Sequence, residues 1–205
     1  MNHQEPAPKL ILASASPRRS EILKQMGIRH SILPTDIPEL PAQGERPEAY
    51  VARIAAEKSF AAQSISDKSV PILAADTEVI IDDLILGKPG SLADAIAILS
   101  RLSGRTHRVM TAVSLRILGQ HWNSLSISQV TFRHIKTSEI EAYWASGEPK
   151  DKAGAYAIQG VGSIFVENIQ GSFSGIVGLP IFETSTLLHQ AGIWTPFLIE
   201  RPCND

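Results

Sequence analysis

The spacing of apolar positions along the chain switches repeatedly between an extended and a helical pattern, and the switches mark out its elements. Leu10 to Ala13 is a short apolar run, Ser14-Ala15-Ser16 a polar loop, and the stretch from Pro17 to Met26 is amphipathic, which predicts strand, loop and helix. Ser16 suits the N-cap, Pro17 the first helical position and Gly27 the far end. Ile32 to Asp36 reads as a strand running out into a polar, Pro-rich loop that carries Glu39 and Glu45. A helix is predicted from about Pro47 to Ser64, with Val51, Ile54 and Ala55 on its apolar face and Lys58 on the same stripe. Val70 to Ala75, continued by Val79 to Ile81, reads as a buried strand interrupted by Asp76 and Thr77. Asp82-Asp83 serves as a two-residue turn to Leu84-Ile85-Leu86, and counting outward from it sets Thr77 opposite Lys88. That register brings Asp76 and Lys88 together at the open end of one hairpin.

The second half alternates in the same way. A helix from about Leu92 to Leu102 has Ser91 as N-cap and Gly104 as stop; Val109 to Leu118 and Ser124 to Phe132 read as strands joined by a loop over residues 119–123. Ser138 and Glu141 have capping-box spacing for a helix through Trp144. A glycine-dense region follows, from Gly154 to Gly178, and the last helix opens at Gly178-Leu179-Pro180 and runs through Leu188. Strands alternating with helices predict an α/β fold, in a single domain over residues 9–193 with tails at 1–8 and 194–205.

The chain of 205 residues is 43% hydrophobic and 20% charged, with a formal net charge of -2. A near-neutral balance gives no broad basic surface for a nucleic-acid polymer, so any attraction for phosphate must be local. The single cysteine, Cys203, excludes an intramolecular disulfide framework and a thiolate metal cluster. The polar N-terminus lacks the apolar centre of a signal peptide, and no apolar run is long enough to span a membrane; a cytoplasmic protein is expected.

Against that background the Ser14 to Arg19 segment stands out. Two arginines in the first turn of a helix oppose its dipole, at a cost of about 0.3–1 kcal/mol, and an anion bound there removes the conflict. Two readings stand for this segment: a helix start with two solvated arginines, or free backbone N–H groups, serine hydroxyls and the forks of Arg18 and Arg19 forming a polyphosphate site that is neither a P-loop nor a dinucleotide fingerprint. For Lys58 two readings stand: its ammonium points into a site, or its stem lies along the apolar face and the charge reaches water. Asp76 with Lys88 is a salt bridge or part of phosphate handling. Gln159 offers the donors and acceptors that read a nucleobase edge. His107 reads as a structural hydrogen bonder, since no second histidine stands at metal-site spacing.

Five ordered blocks then carry a resemblance: Ser14-Ala15-Ser16-Pro17-Arg18-Arg19, Ala75-Asp76-Thr77, Gly87-Lys88-Pro89, Leu102 to His107, and Ile158-Gln159-Gly160 through Val177-Gly178-Leu179-Pro180. Together they resemble the Maf family of nucleoside triphosphate pyrophosphatases over about Leu10 to Leu188. The resemblance implies an elongated mixed β-sheet flanked by helices, two lobes with a central cleft as in inosine triphosphate pyrophosphatase, a divalent cation (Mg²⁺ or Mn²⁺) and a homodimer. It makes Asp76 the proton acceptor, assigns Glu39 and Asp76 to the metal, and assigns Ser14, Arg18, Arg19, Lys58, Thr77, Lys88 and Gln159 to the substrate. Arg18, Thr77 and Gln159 resemble the branch that takes dTTP and UTP; the alternatives are a 7-methyl-GTP pyrophosphatase and a non-catalytic nucleotide-binding regulator of cell division. Two departures are Gly175 and Glu78, the latter where an aliphatic residue is common. By alternation with Thr77, Glu78 is expected to face away from the cleft or to sit at the metal's edge.

Overall fold

The computed structural model describes residues Leu10–Ile193; the two tails and Cys203 lie outside the described residues. Its organising element is β3 (Ile72–Ile81), ten residues buried along nearly their whole length. A strand covered on both faces reads as a near-continuous apolar run, and here Asp76, Thr77 and Glu78 are the polar interruption. On one edge β3 pairs antiparallel with β5 (Thr106–Ile117) from Ile72 to Ile80, and β5 pairs with β6 (Gln120–Phe132), which pairs with β7 (Val166–Gln170). On the other edge β1 (Leu10–Leu12) runs parallel to β3 at Ile72 and Leu73 and carries β2 (His30–Ile32) outside it. Parallel neighbours need crossover connections, which α1 (Pro17–Gln25) and α2 (Pro47–Ser64) supply. The result is a mixed seven-stranded sheet flanked by helices, as the resemblance implies.

The same edge of β3 that receives β1 at its start receives β4 (Leu84–Ile85) at its end, where Ile80 and Ile81 pair with Ile85 and Leu84. Between those two partners, Ala74 to Glu78 has no strand on that edge among the described residues. The sheet is therefore split at the point where its polar residues stand. The Asp82-Asp83 turn forms as expected, with φ of 52° and 59°, but pairing ends with the Leu86 N–H donating to the Val79 carbonyl at 3.0 Å. The expected Thr77 to Lys88 register is not reached; Thr77 lies opposite Thr111 of β5 instead. The split removes the ladder that would have carried the hairpin register further.

Three other boundaries move for identifiable reasons. β2 stops at Ile32, having used up the three residues of β1 available to it, and Pro34 supplies no further N–H donor. The predicted five-residue loop at 119–123 is a two-residue turn: Leu118 and Gly119 take φ of 49° and 80°, the mirror-image geometry that suits strand twist, and pairing begins at Gln120. α4 (Thr137–Ala145) is capped two residues early, with the Glu139 carboxylate accepting the Lys136 N–H at 2.9 Å while Arg133 holds that carboxylate at 2.8 Å. By contrast α3 (Leu92–Leu102) has the expected cap, the Ser91 hydroxyl accepting the Asp94 N–H at 3.2 Å. After a 3₁₀ turn at Glu148–Asp151, the glycine-dense region supplies two more, β7 and a brief helix, α5 (Phe173–Val177), before α6 (Ile181–Gln190).

The core is divided. One large cluster gathers around α3, α4, Phe132, Tyr156 and Phe165; another around α1, α6 and β1; Val177 packs against both, and a third cluster seats α2 on Ile80, Met110 and Ala112. Within the first, His107 is buried, its Nε2 2.9 Å from the Tyr156 hydroxyl and its ring edge-on to Phe132. It is the structural hydrogen bonder expected, and burial lowers its pKa to about 4. Because the unfolded chain binds that proton near pH 6.5, stability is complete above 6.5 and is lost as pH falls toward 4, by about 3 kcal/mol at most. Urea unfolding at pH 7 and pH 4.5 should show this loss in the native chain and a smaller one in His107→Gln. Equal losses in both chains contradict it.

Candidate active site

A cleft of about 320 Å³ opens at the split in the sheet. All nine residues singled out from the sequence line it: Ser14, Arg18, Arg19, Glu39, Lys58, Asp76, Thr77, Lys88 and Gln159. The side chains of β3 alternate across the sheet, but because no strand closes that edge, both faces border the same cavity. Asp76 and Glu78 lie on the face covered by α2, and Thr77 on the opposite face with Thr111.

The β1 to α1 loop builds the first wall. The Ser16 N–H donates to the Ser14 hydroxyl at 3.2 Å; Ser16 holds the N-cap position, yet its own side chain makes no capping bond. Arg19 is tied down by neutral acceptors: its Nε donates to the Gly178 carbonyl at 2.9 Å, and its terminal nitrogens to the Ser14 hydroxyl at 3.0 Å and to Thr77 at 3.2 Å. These bonds orient the guanidinium without neutralising it, so its charge faces the cleft. Close packing lowers its pKa while the nearby Asp76 charge acts the other way, and a guanidinium stays charged throughout.

The second wall comes from α2. Lys58 is 8% exposed, and its Nζ lies 2.8 Å from Asp76 Oδ1 and 2.8 Å from Glu39 Oε1. The reading in which its charge escapes to water is thereby overturned: the ammonium joins a strand carboxylate to a loop carboxylate inside the molecule. The expected pairing of Asp76 with Lys88 gives way to this one, and Lys88 stands exposed at the cleft wall. Burial pushes the Glu39 carboxyl upward, but the hydrogen bond and charge of Lys58, with Lys88 and Arg19 behind it, hold it below its ordinary value.

Asp76 is 3% exposed, and its second oxygen, Oδ2, is buried and accepts no hydrogen bond from the described residues; Oε2 of Glu78 is in the same condition. Burial first, and then the charge of Asp76, push the Glu78 carboxyl up to about 8. Hard oxygen donors without protein partners fit Mg²⁺ or Mn²⁺, which takes one or two carboxylates and fills its other positions with phosphate oxygens and water. Among the described residues no group of three or more His, Cys, Asp or Glu is disposed to hold a metal ion.

The third wall carries Gln159. The Glu148 carboxylate accepts N–H groups from Val161 at 3.0 Å and Gly162 at 2.9 Å and the Tyr143 hydroxyl at 2.6 Å, while that hydroxyl accepts the Ala157 N–H at 3.0 Å. The segment that presents Gln159 is thus braced from α4. Gly154 links it to the Lys88 loop through its N–H and the Gly87 carbonyl at 2.8 Å. With φ of 70° and Val79 2.7 Å from any added Cβ, that position requires glycine.

Glu78, expected either to face away from the cleft or to sit at the metal's edge, lines the cleft, and so do Asp151 and Lys152, which the sequence reading missed. For Glu78 the signal was its i, i+2 spacing from Asp76, which puts both carboxylates on one face. Asp151 and Lys152 belong to an irregular segment with no periodicity to read.

Fold and site together define an α/β protein whose mixed sheet is split around a charged, small-molecule-sized cleft. The chain belongs to the Maf-like protein family, whose model matches residues 9–191. It is 53% identical over 191 residues to the dTTP/UTP pyrophosphatase of Methylococcus capsulatus, covering 93% of this chain and 95% of that one. It is 50% identical over 196 residues to the dTTP/UTP pyrophosphatase of Nitrosomonas europaea, with 90% and 95% covered. Among solved structures, the Ham1 protein of Staphylococcus aureus is similar with a TM-score of 0.44 and 14% identity, covering 60% of this chain and 71% of that one. A nucleoside-triphosphatase (dITP/XTP pyrophosphatase) of Mycobacterium abscessus gives a TM-score of 0.39 and 17% identity, with 60% and 72% covered.

Proposed function

We propose that this chain hydrolyses dTTP and UTP to the nucleoside monophosphate and pyrophosphate, in a reaction that depends on Mg²⁺ or Mn²⁺. The observation that carries the reading is Asp76: a buried carboxylate, held through one oxygen by Lys58 and without a partner at the other among the described residues, in a cleft whose walls bear Arg18, Arg19 and Lys88. The names of the relatives at 50% and 53% identity supply the nucleotide.

In this reading the Asp76 carboxylate accepts the proton of a water molecule as the water oxygen bonds to the α-phosphorus, and the bond from that phosphorus to the bridging oxygen breaks to release pyrophosphate. Lys58, fixed on Oδ1, orients the carboxylate. Arg19, Arg18 and Lys88 neutralise charge on the departing phosphates, with Arg19 already positioned by Ser14, Thr77 and Gly178. Gln159 offers its amide to the pyrimidine edge. The divalent cation, held by Asp76 and Glu39 with the triphosphate, supplies further neutralisation of the phosphate oxygens.

The test is pyrophosphate release with Mg²⁺ or Mn²⁺ across dTTP, UTP, CTP, GTP and 7-methyl-GTP. Turnover highest for dTTP and UTP is expected. Preference for 7-methyl-GTP overturns the assignment of Arg18, Thr77 and Gln159; tight binding without turnover makes the chain a nucleotide-binding regulator. A homodimer in a cytoplasmic setting, acting on free nucleotides rather than on a nucleic-acid polymer or at a membrane, completes the proposal. Among the described residues no helix is long and apolar enough to cross a membrane.

A further inference from the structure

We propose that Glu78 is a ligand of the divalent cation, forming with Asp76 a two-carboxylate clamp on the α2 face of β3 that takes the cation before any nucleotide arrives. The inference rests on the metal-dependent reading above and deepens it.

Residues two apart on a strand project from the same face about 6.6 Å apart. Two carboxylate arms at that spacing can converge on an ion about 2.1 Å from each oxygen. Both arms are more than nine-tenths buried, at 3% and 8% exposed, and both border the cleft. Each ends in an oxygen, Oδ2 of Asp76 and Oε2 of Glu78, that accepts nothing from the described residues. A buried carboxyl without partners is costly, and β3 would gain apolar packing from an aliphatic residue at position 78, where its neighbours Val79, Ile80 and Ile81 are all buried.

The charge balance points the same way. Three carboxylates, Glu39, Asp76 and Glu78, border this part of the cleft, while the one buried ammonium beside them, Lys58, is bonded to Glu39 and Asp76. Arg19 is committed to Ser14, Thr77 and Gly178. Among the described residues Glu78 has no ion-pair partner, so no protein cation competes with a metal ion for its carboxyl.

The experiment is a titration of Mn²⁺ against the nucleotide-free chain, reading free Mn²⁺ by electron paramagnetic resonance, with circular dichroism and thermal melts to verify the fold. Native chain, Glu78→Gln, Glu78→Val and Asp76→Asn are compared, the valine variant providing an apolar side chain suited to the strand. The expected result is one Mn²⁺ bound by the native chain, with Kd raised tenfold or more in both Glu78 variants and Mn²⁺ raising the melting temperature of the native chain alone. Unchanged Mn²⁺ affinity in well-folded Glu78 variants overturns the clamp; if Asp76→Asn still weakens binding, the metal-dependent reading survives. Native binding that appears only with a non-hydrolysable dTTP analogue also overturns the preformed clamp. No binding under either condition removes the clamp and the metal-dependent reading together.

Discussion

Asp76→Asn is expected to slow pyrophosphate release from dTTP by 10²- to 10⁴-fold, about the contribution of a positioned proton acceptor, while leaving the fold intact. Asparagine has nearly the same shape, and its carbonyl oxygen can still accept the Lys58 ammonium that now bonds Oδ1 at 2.8 Å. Lys58 also keeps its second partner, Glu39, at 2.8 Å. The substitution therefore strands no charge, and it relieves the mutual repulsion between Asp76 and Glu78 that helps to push the Glu78 carboxyl up to about 8. What is lost is the basicity of the open oxygen. Nucleotide affinity should change far less than turnover, because Arg18, Arg19 and Lys88 are untouched. Steady-state kinetics with circular dichroism check the prediction, and a folded variant within tenfold of the native rate would falsify the role given to Asp76.

Lys58→Ala should act on stability as well as rate. Its ammonium is the hydrogen-bonding counterion of a carboxylate that is almost fully buried, and removing one member of such a pair costs about 3–5 kcal/mol, because the other is left charged in a medium that solvates it poorly. For a domain of this size that corresponds to a fall in melting temperature of roughly 10 °C. The double variant Lys58→Met with Asp76→Asn should recover most of the loss, since it removes the orphaned charge along with its partner and replaces the lysine stem with a similar volume against the α2 core. Chemical denaturation of Lys58→Met, Asp76→Asn and their double variant measures the coupling. Additive losses would show that the two groups do not depend on each other.

Neighbouring residues differed sharply in how much of their role could be read from the chain. The β1 to α1 loop was legible in its backbone course, because strand, loop and helix follow one another within ten residues and the proline and arginines are local signals, whereas the expected capping bond of Ser16 does not form. Asp76 was legible as a carboxylate ending an apolar run, and its true partner was not: Lys58 comes from a helix eighteen positions earlier in the chain. A local count of hairpin pairs pointed to Lys88 instead, on the assumption that the ladder beyond Val79 continues. It stops because β1 and β4 occupy the two ends of the same β3 edge and nothing fills the middle. Of the two placements expected for Glu78, the one away from the cleft fails for the same reason, since facing away from Thr77 means facing away from the cleft only in a closed sheet. His107 was read correctly as structural, but its aromatic surroundings come from residues 25 and 49 positions away and no local pattern contains them.

Beyond the roles that the family resemblance implied for Ser14, Glu39, Lys58 and Thr77, the sequence by itself determined the alternation of strands and helices, the helix entry at Pro17, the tight turn at Asp82-Asp83 and the prominence of Arg18, Arg19 and Asp76. Each of these rests on propensity, capping or periodicity over a few residues, interactions that a short segment carries wherever it lies. Only the tertiary structure decided that the sheet is split at Ala74 to Glu78, that Lys58 joins Asp76 to Glu39, and that Glu78 faces the same cavity as Asp76 with an open oxygen. Those features depend on which edges meet and which charges are buried together, and burial makes a charge seek a partner wherever the fold supplies one rather than where the chain is nearest.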